Sequence, residues 1–460
     1  MMHGAKENII QAIGNTPIIR ISNIDKDITS EIYVKLEYMN PGGSTKDRIG
    51  VYMLDQANKK GELKPGGTII EATSGNTGVG LALWSAIHGF KCIFVLADKQ
   101  SKEKIDNLRA FGAKVVVCPT NVEPEDPRSY YSVADRLAKS IPNSYYVNQY
   151  NNHENRNTHY NWTAPEMFEQ TNGDFDVFMA AVGTGGTISG CGRYFKEKMP
   201  NVKIVGVDCE GSIIAHFAKT GEMSEAKSYV LEGVGEDFIP DNYDFDNIDD
   251  FVTVGDRESF LMTRRLLKEE GVYAGGSAGA AIVGALRYAK TLSEPKKILV
   301  LLHDSGNRYS SKIFNDEWMA QNGYLNNTFS VQINEVLKLL NKPNEIITLK
   351  DSTTIKDAID LMDSRNISQL PVLDSKDNIL GIVQDKNLMK PFLSGEYEGS
   401  DPVSLGCSDS YKLVDINELL EKAAESLLKK EIVLIMEGKK LVNILTNLDL
   451  IQYLSLSNKN

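Results

Sequence analysis

The chain has 460 residues, of which 42% are hydrophobic and 24% are charged, and its formal net charge is −12 at pH 7. These are the proportions of a globular protein with two or three domains, so long disordered segments are not expected. A net negative charge gives no electrostatic attraction to DNA or to an anionic membrane, which argues against both as partners.

The five cysteines are scattered along the chain, and none belongs to a Cys-x-x-Cys pair. A disulfide framework or a zinc site needs closer clustering, so we expect reduced thiols and no metal. The first 20 residues lack the apolar stretch of a secretory signal. No apolar run approaches the roughly 20 residues that span a bilayer. The sequence therefore predicts a cytoplasmic protein.

Short β-rich runs alternate with helical stretches from Glu31 to about Leu302. This alternation predicts an α/β fold with a parallel sheet, helices on both faces, and ligands at the carboxyl ends of the strands. Asp256 is the expected N-cap of the last helix below, which stops at Gly271. The expected strands are 32–36, 68–71, 92–96, 115–118, 177–182, 202–207 and 298–301, and the expected helices are 101–111, 156–170 and 256–270.

Three turns rich in glycine and hydroxyl side chains stand out: 73–78 (TSGNTG), 183–187 (GTGGT) and 275–279 (GGSAG). Glycine lets the backbone approach a ligand, and a helix that follows directs N–H groups at an anion, such as a phosphate or a carboxylate. A dinucleotide site, with Asp208 and Glu210 near a ribose, lacks the third glycine of its motif. Tight turns without a ligand are the other alternative.

A further turn, Pro-Gly-Gly, precedes Lys46 within residues 40–48 (NPGGSTKDR). With Ser44 as the expected N-cap, Lys46 would lie in the first turn of a helix. The positive end of the helix and partial burial both favour the neutral amine, which can act as a nucleophile or a base. The alternative is a surface lysine paired with Asp47.

A weak internal repeat follows residue 340. Residues 380–388 (LGIVQDKNL) resemble residues 442–450 (VNILTNLDL), 62 positions later. A two-fold repeat of this size predicts paired small modules that bury their faces on each other. The polar segment before it, with one amphipathic stretch around 331–340, is predicted to form helices plus a linker.

The motifs PGGSTKDR, TSGNTG, GTGGT and GGSAG occur in the order found in fold-type-II pyridoxal-phosphate (PLP) enzymes. Over about residues 5–325 the chain resembles the cysteine synthase and cystathionine β-synthase family. The resemblance implies a tryptophan synthase β-like catalytic domain of two open α/β subdomains over 1–325 and a linker over 326–344. A tandem CBS-domain pair, or Bateman module, would follow as CBS domain 1 (345–395) and CBS domain 2 (396–460).

The resemblance also implies the roles of the site residues. Lys46 would bond covalently to PLP and act as the catalytic base. A serine hydroxyl at the pyridine nitrogen would keep the ring a mild electron sink, which suits the loss of a β-substituent. The implied cofactor residues are Lys46, Asn76, Gly183, Thr184, Gly185, Gly186, Thr187 and Ser277, and the implied substrate residues are Thr73, Ser74, Thr77, Gln149 and Tyr150.

The activity implied is PLP-dependent β-replacement, in which L-serine and L-homocysteine give L-cystathionine and water. This is a hydro-lyase step of transsulfuration and cysteine biosynthesis, and the same residues could release hydrogen sulfide from cysteine. The segment 230–240, with Glu232 and Asp237, and the tandem repeat favour this activity over a sulfhydrylase. Glu236 departs from the tyrosine of animal and yeast members. Cysteine synthase (O-acetylserine sulfhydrylase), another PLP β-eliminating enzyme and a non-enzymatic nucleotide-sensing scaffold stay open.

The resemblance bears on other ligands and on assembly as well. The haem-binding Cys-Pro and His pair of animal members is lacking, so no haem is expected. The CBS pair implies S-adenosylmethionine or an adenine nucleotide, with Thr446 and Asp449 holding its ribose. Gln384 and Asn387 occupy the same positions of the first repeat, where an amide cannot replace a carboxylate as acceptor. A repeat kept only for subunit packing is the alternative, and a homodimer or homotetramer is expected.

Overall fold

The computed structural model describes residues 2–120, 122–123, 126–325, 331–342, 346–429 and 432–457. The chain divides into two compact units, Met1–Leu325 and Asn326–Asn460. Each unit is built around its own buried apolar clusters. The catalytic motifs all fall in the first unit and the internal repeat falls in the second.

The first unit alternates strands with helices. Its strands are β1 Ile18–Arg20, β2 Glu31–Leu36, β3 Thr68–Ala72, β4 Lys91–Ala97, β5 Lys114–Cys118, β6 Ser144–Tyr146, β7 Val177–Ala181, β8 Lys203–Cys209, β9 Asp250–Val254 and β10 Lys297–Leu302. Its helices are α1 Lys46–Lys59, α2 Asn76–His88, α3 Lys102–Ala110, α4 Tyr130–Ser140, α5 Glu154–Thr158, α6 Ala164–Thr171, α7 Gly186–Lys198, α8 Ile214–Thr220, α9 Asp256–Glu270, α10 Gly276–Ala289 and α11 Asp316–Gln321.

These strands form two sheets. The larger has the order β1-β2-β10-β7-β8-β9, and β1 runs antiparallel to β2 while the other neighbours are parallel. The smaller has the order β5-β4-β3-β6 and is parallel throughout. Loops at the carboxyl ends of parallel strands collect at one edge of a sheet, which is where ligands bind in such folds.

The central strands are apolar on both faces because helices cover both. Every residue of β7 is buried, as are residues 298–302 of β10. On one face of the larger sheet the core includes Phe260 of α9 and Ile282 of α10, and on the other it includes Phe195 of α7. Parallel sheets carry near-continuous apolar strands for this reason. The α/β fold predicted from the sequence is confirmed.

Two helices differ from the prediction in detail. The N-cap of α9 is Gly255, whose N–H donates to the Glu258 carboxylate, so the prediction of Asp256 was wrong. The Asp256 carboxylate instead accepts hydrogen bonds from the backbone N–H groups of Val230 and Leu231. The helix predicted over 156–170 is α5 and α6 joined by a π-helical turn, His159–Thr163.

The second unit contains the two repeats. Their sheets, β11-β12-β13 and β14-β15-β16, share one topology, in which the first pair is parallel and the second antiparallel. The strands are β11 Leu349–Lys350, β12 Gln369–Leu373, β13 Ile379–Gln384, β14 Tyr411–Asp415, β15 Ile432–Glu437 and β16 Lys440–Leu445. The helices are α12 Ile333–Leu339, α13 Ile355–Arg365, α14 Asp385–Leu393, α15 Leu420–Leu428 and α16 Asn447–Ser457.

The repeats contact each other through apolar side chains. Ile382 of the first repeat packs with Ile432 and Leu434 of the second, and all three are buried. In both repeats the third strand leads directly into a helix, α14 or α16. This agreement of element order with the repeat in the sequence is what paired modules require.

Helix α12 lies inside the segment 326–344 that the sequence predicts to be a linker. Its Ile333 and Val336 are buried in a cluster with Leu420 of the second repeat, and the N–H of Ile333 donates to the carbonyl of Glu418. Residues 326–330 and 343–344 of the segment lie outside the described residues. The domain boundaries themselves stay predictions.

Candidate active site

A cavity opens at the carboxyl ends of strands from both sheets of the first unit. The loops that follow β3, β4, β6, β7 and β10 all contribute to its wall. Of the residues predicted for the site, ten line it: Lys46, Ser74, Asn76, Gln149, Tyr150, Gly183, Thr184, Gly185, Thr187 and Ser277. The remaining three predicted residues, Thr73, Thr77 and Gly186, are buried directly beside these in the chain.

Lys46 is the first residue of α1, and its side chain lines the cavity. The N-cap is Thr45 instead of the predicted Ser44, although Ser44 Oγ accepts the backbone N–H of Lys46. Burial lowers the pKa of the Lys46 amine to about 8, and the opposing effect of Glu236 and Asp304 is smaller. A neutral amine is therefore accessible near physiological pH.

Asp47 does not pair with Lys46 at the surface. It is buried, its Oδ2 accepts the N–H of Gly42 at 2.5 Å, and burial raises the pKa of its carboxyl to about 7. The Pro-Gly-Gly turn is thus fastened to the helix one residue after Lys46. The neighbouring helix α2 holds Lys46 from the other side, because Gly80 of α2 lies against the backbone carbonyl of Lys46.

Asn76 begins α2, and its amide is partly engaged. Asn76 Nδ2 donates to Asp304 Oδ2 at 2.8 Å, and Tyr309 OH donates to the same oxygen at 2.7 Å. Asn76 Oδ1, Asp304 Oδ1 and His303 Nδ1 are buried without a partner among the described residues. Buried polar atoms are nearly always satisfied in native proteins, so these atoms point to a bound group that would complete them.

The loop 183–187 packs too closely for side chains at its glycines. Gly185 has φ +80°, and a Cβ there would lie 2.6 Å from the ring of Tyr243. A Cβ on Gly183 would lie 2.9 Å from the carbonyl oxygen of Gly233, and one on Gly186 would collide with Asn155 Oδ1. The loop runs directly into α7, whose first N–H groups have no partner within the helix. Such a loop suits a phosphate.

Ser277 lies in the first turn of α10 and is buried at the cavity wall. The chemistry of the whole donor set therefore fits PLP. The cavity wall offers a lysine with a lowered pKa, a glycine loop at a helix N-terminus and the Ser277 hydroxyl. It also contains the buried polar atoms without a partner that are named above. The roles carried over from the family fit these positions, and they stay predictions.

Some of the residues predicted to bind substrate already use hydrogen-bond donors and acceptors within the protein. Gln149 Oε1 accepts the Thr77 hydroxyl at 2.6 Å, and Gln149 Nε2 donates to the carbonyl of Ala72 at 3.0 Å. One N–H of the amide remains for a ligand. Thr73 Oγ1 accepts the N–H of Gly75, which fixes the turn that carries Ser74.

Several residues of the cavity went unnoticed in the sequence. They are Lys99, Gln100, Tyr229, His303 and Asp304, and Glu232 and Glu236 had no assigned role in the site. His303 and Asp304 directly follow β10, so the rule that ligands lie at carboxyl ends of strands was a usable signal for them. Burial lowers the pKa of His303 to about 3, so its ring is neutral. Burial raises the pKa of Glu236 to about 8, with Asp237 adding to the effect.

In the second unit, Thr446 and Asp449 contact each other. Asp449 Oδ2 accepts hydrogen bonds from the N–H and the hydroxyl of Thr446, at 2.9 and 2.8 Å. Lys342 Nζ lies 2.6 Å from Asp449 Oδ1. A carboxylate accepts about four hydrogen bonds, so little capacity is left for the two hydroxyls of a ribose while Lys342 stays in place.

Of the helices in the described part of the chain, none combines the length and apolar character needed to cross a bilayer. Among the same residues no cluster of three or more His, Cys, Asp or Glu side chains could hold a metal ion.

Comparison with known proteins identifies the family of the chain. A model of the family "pyridoxal-phosphate dependent enzyme" matches residues 9–304, and a CBS-domain model matches residues 336–394. A cystathionine beta-synthase of Dictyostelium discoideum is 38% identical, with 97% of this chain and 92% of that protein covered.

Two crystal structures are similar to about two thirds of the chain. An O-acetylserine dependent cystathionine beta-synthase from Helicobacter pylori has a TM-score of 0.61 and 40% identity, over 68% of this chain and 99% of that one. A hydrogen sulfide-producing enzyme from Fusobacterium nucleatum has a TM-score of 0.62 and 37% identity, over 66% of this chain and 100% of that one. The chain belongs to the pyridoxal-phosphate dependent enzyme family, as a fold-type-II member with a C-terminal CBS domain.

Proposed function

We propose that the chain is a cystathionine β-synthase, which condenses L-serine with L-homocysteine to give L-cystathionine and water. The observation that carries the proposal is the Lys46 amine, which has a pKa lowered by burial and shares one cavity with the glycine loop 183–187. The Dictyostelium protein named for this activity matches 97% of the chain, which includes both the catalytic unit and the repeats.

PLP, when bound, supplies the electron sink that makes the Cα proton of an amino acid acidic. The residues of the chain do the rest. The loop 183–187 and Ser277 would hold the cofactor at its two ends, with Asn76 between them. Lys46 Nζ, in its neutral form, takes the proton from Cα of serine and later returns it. No step in this scheme calls for a haem or a metal ion, so we propose PLP as the only cofactor.

Substrate binding falls to the loops after β3 and β6. The remaining N–H of Gln149 and the hydroxyl of Ser74 would donate to the α-carboxylate of serine. Tyr150 is buried at the cavity wall and orients the substrate by its ring and hydroxyl. Release of hydrogen sulfide from cysteine is a second outcome of the same residues, because a thiol can also be the leaving group.

The proposal is tested by supplying PLP-loaded protein with serine and homocysteine and measuring cystathionine by mass spectrometry. Lys46→Ala should abolish turnover. Lys59→Ala removes an exposed lysine at the other end of α1 and should leave turnover unchanged. Faster conversion of O-acetylserine and sulfide into cysteine than of serine and homocysteine into cystathionine would contradict the proposal and favour a cysteine synthase.

For the second unit we propose an S-adenosylmethionine or adenine-nucleotide site at Thr446 and Asp449. The buried carboxylate of Asp449 and the adjacent hydroxyl support it. Lys342 would have to release Asp449 for both ribose hydroxyls to bind. We also propose that the protein acts in the cytoplasm, which accords with its five free cysteines, and that it assembles as a homodimer or homotetramer.

A further inference from the structure

Glu236 brings a carboxyl group into the catalytic cavity. It lines the same cavity as Lys46, and the two groups are close enough that an ionised Glu236 raises the pKa of the Lys46 amine. A Cβ built on Gly183 would lie 3.9 Å from Glu236 Oε1, so that oxygen faces the glycine cradle. The backbone is fixed, because Glu236 N–H donates to Ser212 Oγ and its carbonyl accepts the N–H of Ile213.

Three tyrosines determine which oxygen of Glu236 can carry a proton. Tyr131 OH donates to Glu236 Oε2 at 3.3 Å, and Tyr130 OH donates to Tyr131 OH at 2.5 Å. The single proton of Tyr130 is used there, so Tyr150 must be the donor across the 2.9 Å between Tyr150 OH and Tyr130 OH. Every hydroxyl proton of these three tyrosines is directed toward Oε2. The acidic proton of a neutral Glu236 therefore resides on Oε1, which faces the cavity.

The surroundings keep Glu236 neutral and the tyrosines protonated. Burial is the main cause that raises the pKa of Glu236 to about 8. The charge of Lys99 lowers this pKa, but its effect is smaller than that of burial. Burial, together with Glu236, holds the pKa values of Tyr130, Tyr131 and Tyr150 well above their usual range. The titratable groups that act on Glu236, or on which it acts, are Lys46, Lys99, Tyr130, Tyr131, Tyr150, Asp208, Cys209, Tyr229, Asp237 and Tyr243.

We propose that Glu236 is the general acid that protonates the departing β-hydroxyl of serine, a role that rests on the function proposed above. The Cβ–O bond breaks with its electron pair on oxygen, the proton passes from Glu236 Oε1 to that oxygen, and water leaves. The thiol sulfur then forms the S–Cβ bond, and its proton returns to the Glu236 carboxylate. Lys46 serves Cα and Glu236 serves Cβ, so each proton transfer has its own group.

The acid matters for one leaving group and not for the other. Hydroxide leaves poorly without a proton, whereas acetate leaves as a stable anion. General acid catalysis contributes about 10²–10⁴-fold to a rate. Glu236→Gln should therefore lower kcat with serine and homocysteine by at least about 100-fold. Turnover of O-acetylserine with the same thiol should change by less than about threefold, since the thiol can lose its proton to solvent.

Matched variants and the second donor serve as controls. Retained O-acetylserine turnover shows that Glu236→Gln folds and binds PLP. Glu236→Asp keeps an acid one methylene shorter and should recover part of the serine turnover. Glu222→Gln removes an exposed carboxylate from the same region of the chain and should change neither reaction. Equal losses with both donors, or none with serine, would overturn the assignment.

A readout independent of turnover is the infrared carbonyl band of protonated carboxyl groups. The difference between wild type and Glu236→Gln at pH 7 should show one such band, which disappears by about pH 10, well above the raised pKa of Glu236. Asp47 and Glu71, whose pKa values burial also raises, are present in both proteins and cancel. Absence of the band overturns the proposal. If wild type does not convert serine and homocysteine into cystathionine, the proposed function fails. If wild type converts serine and Glu236→Gln converts it equally well, only the acid assignment fails.

Discussion

Glu37 and Arg48 form a buried ion pair, and Arg48 stands two residues after Lys46. Arg48 Nε lies 2.7 Å from Glu37 Oε2, and both side chains are almost fully buried. Burial alone would raise the pKa of Glu37, but the Arg48 charge and hydrogen bonds from Arg48 and Thr16 outweigh it and lower that pKa to about 2. The pair fastens the end of β2 to the start of α1, so it helps to hold the catalytic lysine.

This ion pair should make the first unit sensitive to acid. The folded pKa of Glu37 lies below the ordinary value of 4.5, so its stabilisation is complete above pH 4.5 and is lost as the pH falls toward 2. The shift corresponds to about 3 kcal/mol. Glu37→Gln should lower the free energy of unfolding at pH 7 by about 3 kcal/mol and weaken its dependence on pH below 5.

Urea unfolding followed by tryptophan fluorescence measures this change, because Trp84, Trp162 and Trp318 all belong to the first unit. Glu222→Gln, at an exposed position, serves as the control and should unfold like the natural chain at each pH. Equal stability of Glu37→Gln and the natural chain at pH 7 would show that the pair contributes no net stability.

At the scale of single residues, the sequence predicted those that lie within motifs. Lys46 was selected by its place after a glycine turn at the start of a helix, whereas Asn76 and Ser277 were assigned only through the resemblance to the family. Glu236 and Asp304 lie outside the four motifs PGGSTKDR, TSGNTG, GTGGT and GGSAG. Their importance comes from burial and from side chains distant in the chain, such as Tyr131 and Asn76, and no local pattern contains that information.

Lys46 and Asn76 are the first residues of helices α1 and α2. The two helices cross where Gly50 of α1 contacts the backbone of α2. A Cβ built on Gly50 would lie 2.5 Å from the carbonyl carbon of Gly80. Neither helix can yield by rotating a side chain, because the contact is made by backbone atoms. The close approach therefore sets the distance between the two residues that begin these helices.

Gly50→Ala should disturb both stability and the site. Overpacking of this kind costs about 1–3 kcal/mol, and it would push α1 away from α2. We expect a lower urea midpoint by tryptophan fluorescence and weaker PLP binding, measured by absorbance titration. Gly399→Ala is a suitable control, since a Cβ there meets only side-chain atoms at 3.5 Å or more. Unchanged PLP affinity in Gly50→Ala would mean that the crossing does not position Lys46.

Element type was predictable from the sequence, and element ends were not. The apolar runs of β7 and β10 predicted strands because short, continuous apolar runs are typical of strands that are buried on both faces. The N-caps of α1 and α9 each moved by one residue, since hydrogen bonds to distant backbone decide between neighbouring candidates. The π-helical turn His159–Thr163 inserts an extra residue that apolar spacing does not reveal.

The whole chain joins a catalytic unit to a unit of paired repeats. Ligand binding to the paired repeats should be measurable separately from catalysis. S-adenosylmethionine at about 100 times its Kd should stabilise the second unit by about 2.7 kcal/mol. Differential scanning calorimetry of the full chain would show its transition at a higher temperature. Asp449→Asn should abolish this shift.

Asn387→Ala is the matched control, because position 387 corresponds to 449 in the first repeat, 62 residues earlier. It should retain the full shift. A temperature shift that persists in Asp449→Asn would show that the ligand does not bind at Asp449. The absence of any shift in the natural chain would favour repeats that serve only subunit packing.

Lys46 and Asn76 stand on helices that pack against the smaller sheet, while the glycine cradle and Ser277 belong to helices on the larger one. Catalytic activity therefore depends on the distance between these two groups of residues, which belong to separately packed sheets. A chimera that exchanged the smaller sheet and its helices with those of a relative could keep every side chain of the site and still hold them at the wrong separation. Chimeras within this family should therefore be active only when the exchanged half holds its site residues at the same distance from those of the other half.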